Sequence, residues 1–359
     1  DHYVMGRWQM ASETIERGRA EGPGAYVIPA DQVDAVTAAE MADRLILQGV
    51  EVHQATEPFS AVPQTELWYQ PEDGTMAIES EPEGAGDDAE GLPGGDGDEH
   101  AGGDIDAMAH TFPAGSWIVF GAQPGRAAVL DLLEIQNRRL QREWPGGPWV
   151  RSYDGAAYTM PLQMGVDVFR VAADDVGAVE RASVARMVAP PVPDAQQWFA
   201  IDARVTRSWQ VASRLLDAGH DVSKADTEDG PRFLIPATGS ARSAVLEATR
   251  DLGVTVTADP AGVRNVRAQL ASRIGVYQGW ASSMDEGWTR LVLEEFEYAY
   301  ETLMNSDVRD EGLRDRFDVI IIPSEIPLNR LIEGATDDAT PPEFRGGIDR
   351  KSTRLNSSH

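Results

Sequence analysis

Hydroxyl, carboxylate and indole side chains crowd into one short run, Trp280-Ala-Ser-Ser-Met-Asp-Glu-Gly-Trp288. Ser282, Asp285 and Glu286 gather hydroxyl and carboxylate oxygens within five positions, and Trp280 and Trp288 flank them. Together they would line a polar pocket with aromatic walls. Carboxylates in the first turn of a helix are favoured by its dipole and stay ionised, which suits hydrogen-bond or cation binding better than acid catalysis. A structural role competes with this one. Ser283 followed by Glu286 is a capping box, in which each side chain satisfies an orphan backbone N–H at a helix start. Both roles are compatible.

Elsewhere the chemistry is sparse. The six histidines are His2, His53, His100, His110, His220 and His359. None has a carboxylate or a second histidine at a spacing that pairs ligands on a helix face, so no zinc site is expected within this chain. His53 and His220, each in or beside a strand, fit packing or solvent exposure. The absence of cysteine removes disulfides, thiolate nucleophiles and thiolate metal sites together. No Gly-x-Ser-x-Gly elbow, phosphate loop or complete dinucleotide fingerprint occurs, and nucleophilic catalysis has no visible candidate. The Asp-rich run near Asp96 lacks the spacing and terminal glutamate of an EF-hand loop.

The elements that must position the Trp280–Trp288 run are a strand before it and a helix after it. Arg273-Ile-Gly-Val-Tyr-Gln278 is an apolar run that breaks at glycine and enters an amphipathic segment. Phe317-Asp-Val-Ile-Ile-Ile-Pro-Ser324 reads as its parallel partner strand, after a helix-length gap. Strand, loop, helix and parallel strand open an α/β domain. Ligands of such sheets collect outside the carboxyl ends of the strands, where Gly279 to Gly287 falls.

Upstream, a helical pattern ends at the breaker Gly22-Pro23-Gly24. A strand over 25–30, a helix over 35–48 stopped by Gly49 and a strand over 50–55 imply a parallel pair. Thirteen acidic and no basic residues lie between Glu72 and Asp106. Such a segment buries too little apolar surface to offset its ordering entropy, so 70–109 is expected to be a disordered insertion. A strand over 115–120, a helix over 124–134, an extended stretch over 153–171 and a linker ending in Pro190-Pro-Val-Pro193 follow. The order of elements then repeats from Trp198 to Leu252. Gln48-Gly-Val-Glu-Val-His-Gln-Ala55 matches Ala218-Gly-His-Asp-Val-Ser-Lys-Ala225, and Ala127-Ala-Val-Leu130 matches Ser243-Ala-Val-Leu246. Duplicated α/β units are expected.

The 359 residues are long enough for two or three cored domains. A formal charge of -28 argues against nucleic acid or an anionic membrane surface as partner. No run approaches the roughly 18 apolar residues of a membrane span, and the composition is that of a soluble chain. Only Lys224 and Lys351 are lysines; high-salt adaptation and a biased genome would both leave that arginine-rich pattern.

Five segments taken in order, Tyr26-Val-Ile-Pro-Ala-Asp-Gln32, Phe112-Pro-Ala-Gly-Ser-Trp-Ile-Val119, Ala122-Gln-Pro124, Pro161-Leu-Gln-Met-Gly-Val166 and Met284-Asp-Glu-Gly-Trp-Thr-Arg290, resemble bacterial zinc carboxypeptidase-like proteins of the carboxypeptidase A class. The similar part, residues 20 to 348, is the region downstream of the peptidase domain, including a domain similar to class I glutamine amidotransferases. The resemblance implies an accessory, non-catalytic region of a protein that hydrolyses C-terminal peptide bonds. It implies zinc in an upstream peptidase domain and none here, with that domain and the parent's peptide substrate as partners. The family's His-x-x-Glu zinc pair is absent, so no catalytic residue carries over. The expected divisions are an exit helix over 1–24, α/β units over 25–190 and 191–271, a truncated flavodoxin-like, amidotransferase-like domain over 272–348 and a foreign tail over 349–359. An exported parent, periplasmic or extracellular, is one option. A free-standing small-molecule or peptide-binding α/β module is the alternative, and catalysis through Asp285 or Glu286 a third.

Overall fold

The computed structural model describes residues 2–64, 109–134, 144, 147–148, 159–280, 283–309, 312–324, 328–334, 340–341, 344–345 and 347–348. The acidic insertion, apart from residue 109, and the tail beyond 348 lie outside these. The chain divides into two compact units, Asp1–Arg186 and Met187–His359.

The first unit opens with helix α1 (His2–Ala20). Strand β1 (Ala25–Ile28), helix α2 (Ala35–Leu47), strands β2 (Val52–Ala55), β3 (Phe59–Ala61), β4 (His110–Phe112) and β5 (Trp117–Phe120) come next, then helices α3 (Arg126–Leu133) and α4 (Met160–Met164). Strand β6 (Phe169–Val171), a 3-10 turn at Ala173–Asp175 and strand β7 (Val179–Arg181) complete it. The sheet order is β6-β1-β5-β2-β7, with every pairing antiparallel, and β3 and β4 form a separate hairpin. Parallel pairing was expected of β1 and β2, and the sheet corrects this. The two strands do run the same way, but β5 inserts between them and pairs antiparallel with both. This is a split βαβ arrangement.

The second unit repeats the pattern. Strand β8 (Trp198–Asp202), helix α5 (Arg207–Asp217), strands β9 (Ser223–Thr227) and β10 (Gly230–Pro236), helix α6 (Ala241–Thr249), and strands β11 (Val256–Ala258) and β12 (Arg264–Ala268) build an antiparallel sheet in the order β11-β8-β10-β9-β12. Position for position this is the order of the first sheet.

The duplication extends to single hydrogen bonds. Gly49 (φ 84°) and Gly219 (φ 79°) end α2 and α5 in the left-handed conformation that a residue without Cβ adopts freely. Gly49 N–H donates to Ile46 O at 2.9 Å and Val50 N–H to Leu45 O at 3.0 Å; Gly219 and His220 donate to Leu216 and Leu215, both at 2.9 Å. These are two Schellman motifs, and each aims the chain back along the sheet. Matched residues are matched in burial too. Val52 and Val222, Ala55 and Ala225, and Val129 and Val245 are all in the cores.

The second unit then continues into a three-stranded sheet. It comprises strand β13 (Ile274–Tyr277), helix α7 (Met284–Glu295), strand β14 (Tyr300–Leu303), short helices α8 (Asn305–Arg309) and α9 (Leu313–Arg316), strand β15 (Val319–Ile321) and helix α10 (Leu328–Glu333). Here the expected parallel pairing of β13 with β15 holds, and β14 also pairs parallel on the other side, giving the order β14-β13-β15. The chain as a whole is mixed helix and sheet, mostly antiparallel.

Two local expectations fail. The stretch over 153–171 is not extended throughout, because Pro161 starts α4 and Gly165 (φ 63°) closes it. The segment running up to Asp194 is more than a linker, since β7 within it pairs with β2.

Candidate functional site

The run singled out in the sequence, Trp280–Trp288, follows the carboxyl end of β13 and leads into α7. All four residues of β13 are buried, so the strand is fixed and its exit is fixed with it. Ser283 is the N-cap of α7, its Oγ accepting from the Glu286 backbone N–H at 3.2 Å. Capping is therefore one role these residues fill.

Asp285 sits in the first turn of α7, and its carboxylate accepts a hydrogen bond from the Ser324 hydroxyl just past β15. Side chains following two neighbouring parallel strands thus meet above the strand ends. Beside them the Tyr277 hydroxyl bonds to the Asn305 side-chain oxygen, and Asn305 Nδ2 donates to Phe344 O at 2.8 Å. The Phe344 ring packs on Trp280 with centroids 5.4 Å apart. Arg309 holds the same C-terminal segment through Arg345 O at 2.9 Å and Gly347 O at 2.8 Å.

Glu286 does something different. It is buried, and its Oε1 accepts from Arg290 Nε at 2.9 Å; Arg290 also reaches Thr302 Oγ1 at 3.1 Å and covers the Tyr300 ring at 5.1 Å. Arg290, held by Glu286 within α7, therefore ties the helix to β14. The two tryptophans do not enclose a pocket, since Trp280 is 56% and Trp288 65% exposed. Ser282 lies outside the described residues.

Of the five residues singled out in the sequence, Trp280 and Asp285 belong to the strand-end arrangement, Glu286 is structural and Trp288 lies exposed on α7. Ser324, Asn305, Tyr277 and Phe344 were missed. Ser324 had a signal, its place at the end of an apolar strand. Asn305 had none, because β14 itself was hidden within the gap read as helix.

Chemically the arrangement offers a carboxylate–hydroxyl pair, Asp285 with Ser324. No histidine lies between residues 221 and 358, so this part of the sequence offers the serine no imidazole base. Among the described residues no three His, Cys, Asp or Glu side chains converge on a metal position, and no helix is long and apolar enough to cross a membrane. A cavity of about 230 Å³ in the same unit lies elsewhere, between Trp209, Ser213 and Tyr298.

No protein-family model, curated protein or solved structure matches this chain.

Proposed function

We propose that the chain is the non-catalytic accessory region of a zinc carboxypeptidase-like protein, its last part the opening of a doubly wound, amidotransferase-like domain. One observation carries this reading: the order β14-β13-β15, with all pairings parallel. Numbered from β13, that is second-first-third, the opening of the flavodoxin-like order, with the reversal point beside β13 where ligands of such sheets collect. The outer strand β15 supports it further, since Val319 and Ile320 on it and Ile322 just past it are exposed, as apolar side chains are that further elements of a larger sheet domain would cover.

Zinc belongs, in this reading, to an upstream peptidase domain. Among the described residues no three His, Cys, Asp or Glu side chains gather to hold it. The partners are that domain and its peptide substrate, with this region positioning one or the other. A second reading is favoured by the Asp285–Ser324 pair beyond the ends of β13 and β15: a small-molecule or peptide-binding module using the strand ends.

The test is a hydrolysis assay of this chain with zinc supplied and a blocked dipeptide bearing a free C-terminus. No release of the terminal residue is expected. Zinc-dependent release, abolished by Asp285→Asn, would overturn the non-catalytic assignment.

A further inference from the structure

Helix α7 is built inside out. A helix lying on a sheet ordinarily turns an apolar stripe toward the core and its charges toward water. Here Glu286 is the buried residue of α7 and Arg290 lies half-buried against it, while Met284 is 71%, Trp288 65%, Leu291 51% and Val292 56% exposed. These four recur at the i, i+4, i+7, i+8 spacing of one helix face, so they form a continuous apolar stripe on the side away from Glu286.

Gly287 lies within the same face. Glycine in the body of a helix destabilises it relative to alanine. A Cβ at 287 would meet nothing within 4 Å, so no contact inside the chain calls for glycine there. Its effect is on the outer surface. Met284, Gly287, Trp288 and Leu291 stand at i, i+3, i+4 and i+7, the four corners of a hole into which a facing helix inserts a side chain, and the missing side chain at 287 deepens that hole.

The charges of α7 define the chemistry of the occupant. Each is held inside the chain: Asp285 by Ser324, Glu286 and Arg290 by one another at 2.9 Å, Glu294 by the Tyr300 hydroxyl at 2.6 Å and Glu295 by Arg207 at 2.8 Å. A strongly charged partner would have to displace one of these contacts, whereas a second apolar stripe displaces none. We propose that α7 is a homotypic contact, in which two copies of this chain associate about a two-fold axis, each placing apolar side chains of its own stripe in the hole beside Gly287 of the other. Two stripes of this size fall below the roughly 1,200 Å² at which standard interfaces begin, so the dimer is a weak one with a micromolar or higher dissociation constant.

The experiment is sedimentation equilibrium of the full chain from micromolar to near-millimolar concentration, at low and at high salt. A monomer–dimer equilibrium is expected, and salt should strengthen it, because each copy carries a formal charge of -28 while the contact itself is apolar. Leu291→Lys, a change at an exposed position, should weaken the dimer at least about tenfold by placing a charge in the contact. Gly287→Leu should weaken it by a similar factor by filling the hole, while leaving the melting temperature of dilute protein no lower. Both effects should persist in the Ile320→Lys chain, which separates this contact from pairing along β15. A monomer at every concentration would overturn the proposal and leave the stripe to a different partner. So would a dimer that either α7 variant leaves unchanged.

Discussion

Arg273 and Asp318 stand one residue before β13 and β15, and they lock the starts of these two parallel strands together. Arg273 presents its backbone N–H to Asp318 Oδ2 at 2.9 Å, Nε to the same oxygen at 3.0 Å and Nη2 to Oδ1 at 2.9 Å. A forked guanidinium on both carboxylate oxygens fixes direction as well as distance. At the opposite ends of the same strands, Ser324 meets Asp285. The clamp and that pair thus stand at opposite ends of one parallel strand pair, in register Ile274 with Val319.

Asp318 should therefore titrate far below an ordinary aspartate. The Arg273 side-chain hydrogen bonds, then its backbone bond, hold the Asp318 carboxyl down at about 2. Because the folded value is the lower one, the stability from this clamp is present above the unfolded aspartate value near 4 and is lost as pH falls through about 2. Carboxyl-detected NMR between pH 1 and 5 checks it. Asp318→Asn should abolish the low midpoint and also perturb the Ser324 resonance at the far end.

Arg290→Ala should be among the most damaging single changes in the last sheet. It would leave the Glu286 carboxylate buried without its cation, at a cost of about 3 kcal/mol. Trp288→Ala, on an exposed position of the same helix, should cost less than about 0.5 kcal/mol. Urea denaturation of the two variants separates them. Equal losses would contradict the structural role given to Glu286.

Within the second unit, the turn after α7 is tied to α5 by another fork. Arg214 Nε and Nη2 reach Glu297 at 2.7 and 2.6 Å, and Gln210 adds a bond at 3.0 Å. Glu297 has φ 59°, unusual for a side chain of this kind, and the contacts hold it there. The pair is partly exposed, so screening limits Arg214→Gln to a loss of about 1 kcal/mol. The Arg214 hydrogen bond lowers the Glu297 value, which makes this loss greatest above the ordinary glutamate range and smaller in acid. Thermal melts at pH 7 and pH 3 show the difference.

Strand β15 pairs with β13 on one side, and no described strand pairs on its other. With Val319, Ile320 and Ile322 exposed, this edge should drive concentration-dependent association. Ile320→Lys should weaken it by about tenfold, by placing a charge on the apolar edge. Sedimentation velocity across a concentration series reads this directly.

Much of this architecture was legible because local signals agreed. The Gly49 and Gly219 stops, the Val-rich strands and the matched octapeptides marked the duplication, and the two sheets share one strand order. Strand pairing was not legible. The succession of β1, α2 and β2 fits a parallel pair or a split one equally, and only the long-range insertion of β5 decides. Strand β14 was hidden because Tyr300-Glu-Thr-Leu303 is short and carries a charge on its exposed side. With it went Asn305, the residue that secures Phe344 over the strand ends. Glu286 fitted both a pocket and a cap, and its partner Arg290 resolved it as structural.

Sequencing the encoding gene on both sides of this segment decides whether it is the accessory region of a zinc peptidase. An open frame upstream of Asp1 carrying a His-x-x-Glu zinc pair and a later histidine, and a frame past Ile348 that supplies further strands beside β15, are expected. An initiator codon immediately before Asp1, with no peptidase domain upstream, would contradict it and leave a free-standing binding module.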